Sequence, residues 1–123
     1  MAEKFDLYWD ASKPVLREVL RPGVWVQAED DEYEALLAEL LRRAPEGGFD
    51  VVCDALDYTM QVESSSDDTY DMLAEAGCRR FIQVVSKNII GIQTARMIRN
   101  SALGQSITFV ACSTMAEADA LLG

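Results

Sequence analysis

The 123-residue sequence has no histidine, only three cysteines and only three prolines. Cys53, Cys78 and Cys112 form no CxxC pair, so a zinc site of the usual Cys/His kind lacks ligands. The Walker loop, the GxSxG elbow and the dinucleotide GxGxxG are all missing, as are the usual nucleophile–base constellations. No apolar run approaches the ~20 residues that span a bilayer. Positive charge is scarce: 11 Lys and Arg stand against 21 Asp and Glu, a net charge of −10. That balance disfavours nucleic acid, whose phosphates need Lys and Arg, and generic attachment to anionic membranes. The N-terminal MAEKFDLYWD is charged and lacks an apolar h-region, so no signal peptide is expected. A reducing cytoplasm is the expected location, and no cofactor or metal is implied.

What is present points to a folded chain. Half of the residues are hydrophobic, enough for a sizeable core, and the length suits one compact domain over residues 1–123. Cys53 and Cys112 fall in apolar segments, where cysteine behaves as a small hydrophobe, so buried free thiols are expected. Charge is uneven along the chain. Residues 1–78 hold 19 acidic and 6 basic residues, a net of −13, and residues 79–123 hold 2 and 5, a net of +3. Complementary faces for a partner or a second copy are one reading. Solubilising acids on the first helices are the other.

The periodicity predicts an order of elements. Phe5, Leu7 and Trp9 alternate with polar residues, Ser12-Lys13-Pro14 reads as a turn, and Val15-Leu16 with Val19-Leu20 forms a second strand. That strand can continue through Val24-Trp25-Val26. Tyr33, Leu36, Leu37, Leu40 and Leu41 make the apolar stripe of a helix, with Asp31 as its cap and Glu34 completing a box-like start. Arg42 and Arg43 sit at its far end, and Pro45 and Gly47-Gly48 stop it. Three short apolar runs follow, around Val51-Val52-Cys53, Phe81 to Val85 and Ile107 to Ala111. They lack strict alternation, as strands covered on both faces do. Helices are expected at about 66–76, with Tyr70, Leu73 and Ala74 inward and Gly77 at the end, and at about 90–102. A last one is expected at about 115–122 behind a Thr114/Glu117 capping box. The order β-β-α-β-α-β-α-β-α predicts an α/β fold, a mixed sheet of about five strands with a mostly parallel core and helices packed on it.

In such a sheet the carboxyl ends of the strands converge on one rim, where ligands bind. Asp54, Asp57, Ser86, Lys87, Asn88 and Ser113 are the candidate rim residues. Asp54 and Asp57 can be read as an acid/base pair or as residues that hold turns. Arg96 and Arg99, with Lys87 upstream, form the most concentrated positive stretch and are candidates for partner binding.

The segment FDVVCDAL, the ESSSDD helix start and the order of helices around FIQVV and ITFVA resemble the STAS domain of bacterial anti-sigma-factor antagonists. They resemble in particular the STAS-like, SpoIIAA-like group, which is related in fold to SEC14-type lipid-binding domains. The resemblance covers most of the chain. It implies a phospho-acceptor serine before the second helix, in an acid-serine-serine-glycine motif. The nearest match is Glu63-Ser64-Ser65-Ser66, with Glu for the acid, Ser for the glycine and a spacing about one residue longer. Ser64 is then the candidate acceptor and Ser65 the second choice. Plain capping by these serines is the alternative. The resemblance implies a non-enzymatic interaction or regulatory domain that binds a protein partner or itself as a homodimer. The SEC14-type relationship implies a carrier of a small apolar ligand or lipid. A small enzyme using Asp54 and Asp57 is the third class.

Overall fold

A computed structural model of the chain describes residues 5–21, 27–56, 67–86 and 107–122. Five strands form one sheet: β1 (Phe5–Trp9), β2 (Val15–Leu20), β3 (Phe49–Asp54), β4 (Cys78–Val84) and β5 (Thr108–Cys112). Its order follows the chain, β1-β2-β3-β4-β5. The β1–β2 pair is antiparallel, and β2 through β5 are parallel. Three helices are described, α1 (Gln27–Leu41), α2 (Asp67–Ala76) and α3 (Met115–Leu121). The fold is therefore α/β with a mixed, mostly parallel sheet, as the element order predicts. The helix expected at 90–102 and the continuation of β2 through 24–26 lie outside the described residues.

The hairpin is closed by Asp10. Its Oδ1 accepts from the Ser12 N–H at 2.8 Å, the Ser12 hydroxyl at 3.0 Å and the Lys13 N–H at 3.2 Å. The Ser12 N–H, then its hydroxyl, then Arg17 hold the Asp10 carboxyl down to about 2. A side chain that bonds backbone two residues on is the usual chemistry of such a turn.

Parallel neighbours need a crossover, and consecutive strands laid down in one direction put crossover helices of one hand on the same face. Leu37 of α1 and Leu73 of α2 accordingly share one core with Phe5, Leu7, Leu16, Phe49, Val51 and Phe81. The opposite face carries Val15, Val52, Ile82, Val84 and Cys112, and Ala118 of α3 covers it. Strand β3 is buried on both faces, which explains why FDVVCD lacks alternation. Two arginines hold α3 against its face. Arg80 grips the Asp50 carboxylate with two bonds, at 2.7 and 3.2 Å, and donates to the Leu121 carbonyl at 2.8 Å. Arg17 reaches Asp119 at 3.5 Å.

Helix α1 begins at Gln27, so Asp31 lies inside it rather than capping it. The acidic run at Glu29 to Glu32 favours the helix's positive end, and the helix extends back to include it. The apolar stripe is as expected, with Leu37 buried and Tyr33, Leu36, Leu40 and Leu41 packed against the core. Arg42 and Arg43 follow the last turn and pair with Glu39. In α2, Leu73 is buried and Ala74 packs inward. The Tyr70 side chain lies outside the described residues.

Two glycines set the approach to β3 and β4. Gly48 (φ +91°) and Gly77 (φ +104°) occupy left-handed backbone that side chains resist. A Cβ on Gly48 would stand 3.1 Å from the Gly77 carbonyl oxygen and 3.2 Å from Arg79 Nε. Gly47 has open space. In urea denaturation, Gly48→Ala is expected to lower stability by roughly 1–3 kcal/mol. Gly47→Ala should change it by less than about 0.5 kcal/mol.

Candidate functional site

Because β2 to β5 run parallel, their carboxyl ends open on one rim. Asp54 ends β3, Ser86 follows β4 and Ser113 follows β5. The Ala55 N–H donates to the Val84 carbonyl at 2.8 Å, and the Val85 N–H to the Cys112 carbonyl at 2.9 Å. These bonds carry the ladder past the strand ends and align the starts of the three loops. The sequence-predicted residues Asp54, Ser86 and Ser113 thus sit on adjacent strand ends. Asp57, Ser64, Ser65, Lys87, Asn88, Arg96 and Arg99 lie outside the described residues.

The rim side chains are engaged locally. Asp54 Oδ1 accepts from the Leu56 N–H at 3.2 Å and holds the turn after β3. Thr114 is the N-cap of α3: its Oγ1 accepts from the Glu117 N–H at 3.1 Å. Glu117 Oε1 answers by accepting from the Ser113 hydroxyl at 2.8 Å, the Ser113 N–H at 3.2 Å and the Thr114 hydroxyl at 3.2 Å. The box expected from Thr114 and Glu117 forms, with its return bond to Ser113 rather than to the cap's own N–H. The Ser113 hydroxyl first, then the Ser113 N–H, hold the Glu117 carboxyl below its ordinary value of 4.5.

A second polar constellation lies inside the α1/α2 face. Glu18 of β2, Cys53 of β3 and Gln83 of β4 stand side by side in register across three strands. Glu18 is 5 % exposed, Gln83 8 % and Cys53 0 %. The Tyr33 hydroxyl of α1 donates to Glu18 Oε2. The Cys53 thiol donates to Glu18 Oε1 at 3.1 Å, and Gln83 Nε2 donates to Cys53 Sγ at 3.9 Å. Burial pushes the Glu18 carboxyl above its ordinary value, against the opposing pull of the Tyr33 and Cys53 bonds. Sequence reasoning passed over this row, although a signal was there. Each member is flanked at i−2 and i+2 by apolar residues: Leu16 and Leu20, Val51 and Ala55, Phe81 and Val85. With the strand period of two, that flanking puts a polar group on an apolar face.

The three thiols are free and buried, as expected. Burial first, then the Glu18 charge, drives the Cys53 thiol far up. Burial and then Asp50 push Cys78 to about 12, and burial and then Glu117 raise Cys112. All three are held as thiols rather than as the nucleophilic thiolate. Among the described residues, no group of three or more His, Cys, Asp or Glu is arranged to hold a metal ion. No helix among them is long and apolar enough to cross a membrane. Comparison of the chain with protein-family models, curated proteins and solved structures finds no match.

With a thiol-reactive chromogenic disulfide at neutral pH, the native protein is expected to react slowly at Cys53, Cys78 and Cys112. All three should react quickly once guanidinium unfolds the chain. Rapid stoichiometric labelling of the native protein would contradict the burial.

Proposed function

We propose that the chain is a non-enzymatic, cytoplasmic interaction domain of the STAS-like kind. It binds a protein partner or a second copy of itself through the rim at the carboxyl ends of its parallel strands. The observation that carries this reading is how the described rim groups are employed. Asp54 holds a turn, Ser113 and Thr114 build the start of α3 with Glu117, and the nearby Cys112 is a buried thiol. Groups committed to local structure fix the shape of a surface, and recognition by shape and hydrogen bonding asks no reactivity of them.

The sheet order lends a second support. Strands follow one another across the sheet in chain order, so the acid-rich N-terminal part of the sequence builds β1, β2, α1 and β3 at one side. A charge bias along the sequence thereby becomes a bias across the molecule, which steers association. Regulation at Ser64, with Ser65 as second acceptor, belongs to the same proposal. A phosphate there would add about −1.5 to −2 charges to a stretch that already holds Asp67, Asp68 and Asp71.

Light scattering and native mass spectrometry on gently purified protein test the proposal. The expected result is a dimer or a complex with a protein partner. Ser86→Arg should abolish it while the circular dichroism spectrum and melting temperature stay as in the parent. A strictly monomeric protein with no retained partner would overturn the proposal. A co-purifying apolar molecule in place of a protein would instead favour the carrier of SEC14-like character.

A further inference from the structure

Among the described residues, two of the polar contacts between α1 and the sheet differ in kind. Towards the end of the helix, the Leu40 carbonyl accepts from the Trp9 indole N–H at 3.0 Å, and neither group titrates in the neutral range. In its first half, Tyr33 meets Glu18, an acid sunk in the apolar face and continued by Cys53 and Gln83. We propose that Glu18, with Tyr33, Cys53 and Gln83, forms a proton-operated latch. The first half of α1 docks while the Glu18 carboxyl is protonated and is released as that proton is lost.

The geometry around Glu18 supplies the reason. On β1 the residue opposite it is the apolar Leu7. From α1 it is met by the Tyr33 hydroxyl, whose ring stands edge-on to Phe5 at 5.2 Å. From β3 it is met by the Cys53 thiol, with the acidic Asp54 one residue on and Gln83 of β4 behind the sulfur. These neighbours are neutral or acidic, and none of them is a cation. A protonated row is neutral throughout, and its hydroxyl and thiol members can each donate or accept, so the hydrogen-bond chain can close without charge. An ionised Glu18 keeps its two donors but buries a charge with no opposite partner among these groups, an arrangement that water opposes strongly. Moving Tyr33 away opens the α1 side of the row and lets water reach the carboxylate.

The sign follows from proton binding. Glu18 is raised above its ordinary value of 4.5 when docked and returns towards it when exposed. The docked state therefore holds the extra proton, and undocking releases it. Below 4.5 the two states are protonated alike and pH has no effect. Above it, the undocking equilibrium constant rises by about tenfold per pH unit, until the docked carboxyl has itself ionised. The Trp9–Leu40 contact has no such dependence, so the second half of α1 should not follow. The latch stands whether or not the rim binds a partner.

Amide hydrogen exchange between about pH 5 and about pH 8, corrected for intrinsic base catalysis, tests this. Amides of residues 31–36 are expected to lose protection with rising pH, by up to about tenfold per unit, through an opening that leaves those of β3 and β4 better protected at every pH. Glu18→Gln should remove the slope, and Tyr33→Phe should leave these amides weakly protected at every pH. Infrared spectra of the unmodified protein should show a protonated-carboxyl band that fades over the same range. That measurement applies even where a variant folds poorly. The proposal is overturned by a slope that persists in Glu18→Gln, by residues 31–36 opening only together with the strands, by no slope at all, or by a carboxyl ionised throughout.

Discussion

Strand β3 carries the constraint on which the other elements depend. Phe49, Val51 and Cys53 face α1 and α2, whereas Val52 faces α3. A strand in that position needs a hydrogen-bonded neighbour on each edge and an apolar layer on each face, because its backbone and side chains are otherwise left in the wrong solvent. The parallel registers with β2 and β4 supply the first requirement, and the helices supply the second. Left-handed glycines bracket its approach, with Gly48 entering β3 and Gly77 entering β4 within contact of one another. Placement of the rim and of the buried polar row both follow from that one strand.

The two faces solve the problem of polar groups differently. On the α3 face, Asp50 is matched by Arg80, a cation that also binds the helix's last carbonyl, and Arg17 joins Asp10 to Asp119. Charge there is neutralised by opposite charge and helps to fasten α3. On the α1/α2 face, Glu18 is matched by a phenol and a thiol. Neutral donors satisfy the oxygens of a carboxylate but not its charge, so burial raises the Glu18 carboxyl above its ordinary value. Burial of an ionisable group without a counter-charge is a frequent origin of a proton-sensitive element.

The rim and the row occupy different levels of the sheet and have β3 and β4 in common. Asp54 lies one residue beyond Cys53, and Ser86 lies three beyond Gln83. The surface at the strand ends and the row one step below it share the backbones of β3 and β4. Capping at Thr114 and the turn at Asp54 give that surface fixed starting points.

Much of the architecture was legible from local pattern. Hairpin, apolar helix stripe, unalternating central strands, Gly77 stop and Thr114 cap each depend on neighbours within about four residues. The start of α1 was misread at Asp31 because a good cap motif stood inside a longer run that was itself helix-compatible. By itself, the sequence determined the α/β alternation, the burial of the thiols and the candidacy of Asp54, Ser86 and Ser113 for a shared rim. Tertiary structure alone decided that Glu18, Cys53 and Gln83 stand in one register beneath Tyr33, and that Arg80 unites Asp50 with the end of α3. Those contacts join residues about 15 to 41 positions apart, and a period of two or 3.6 can assign a face but not the partner that meets it.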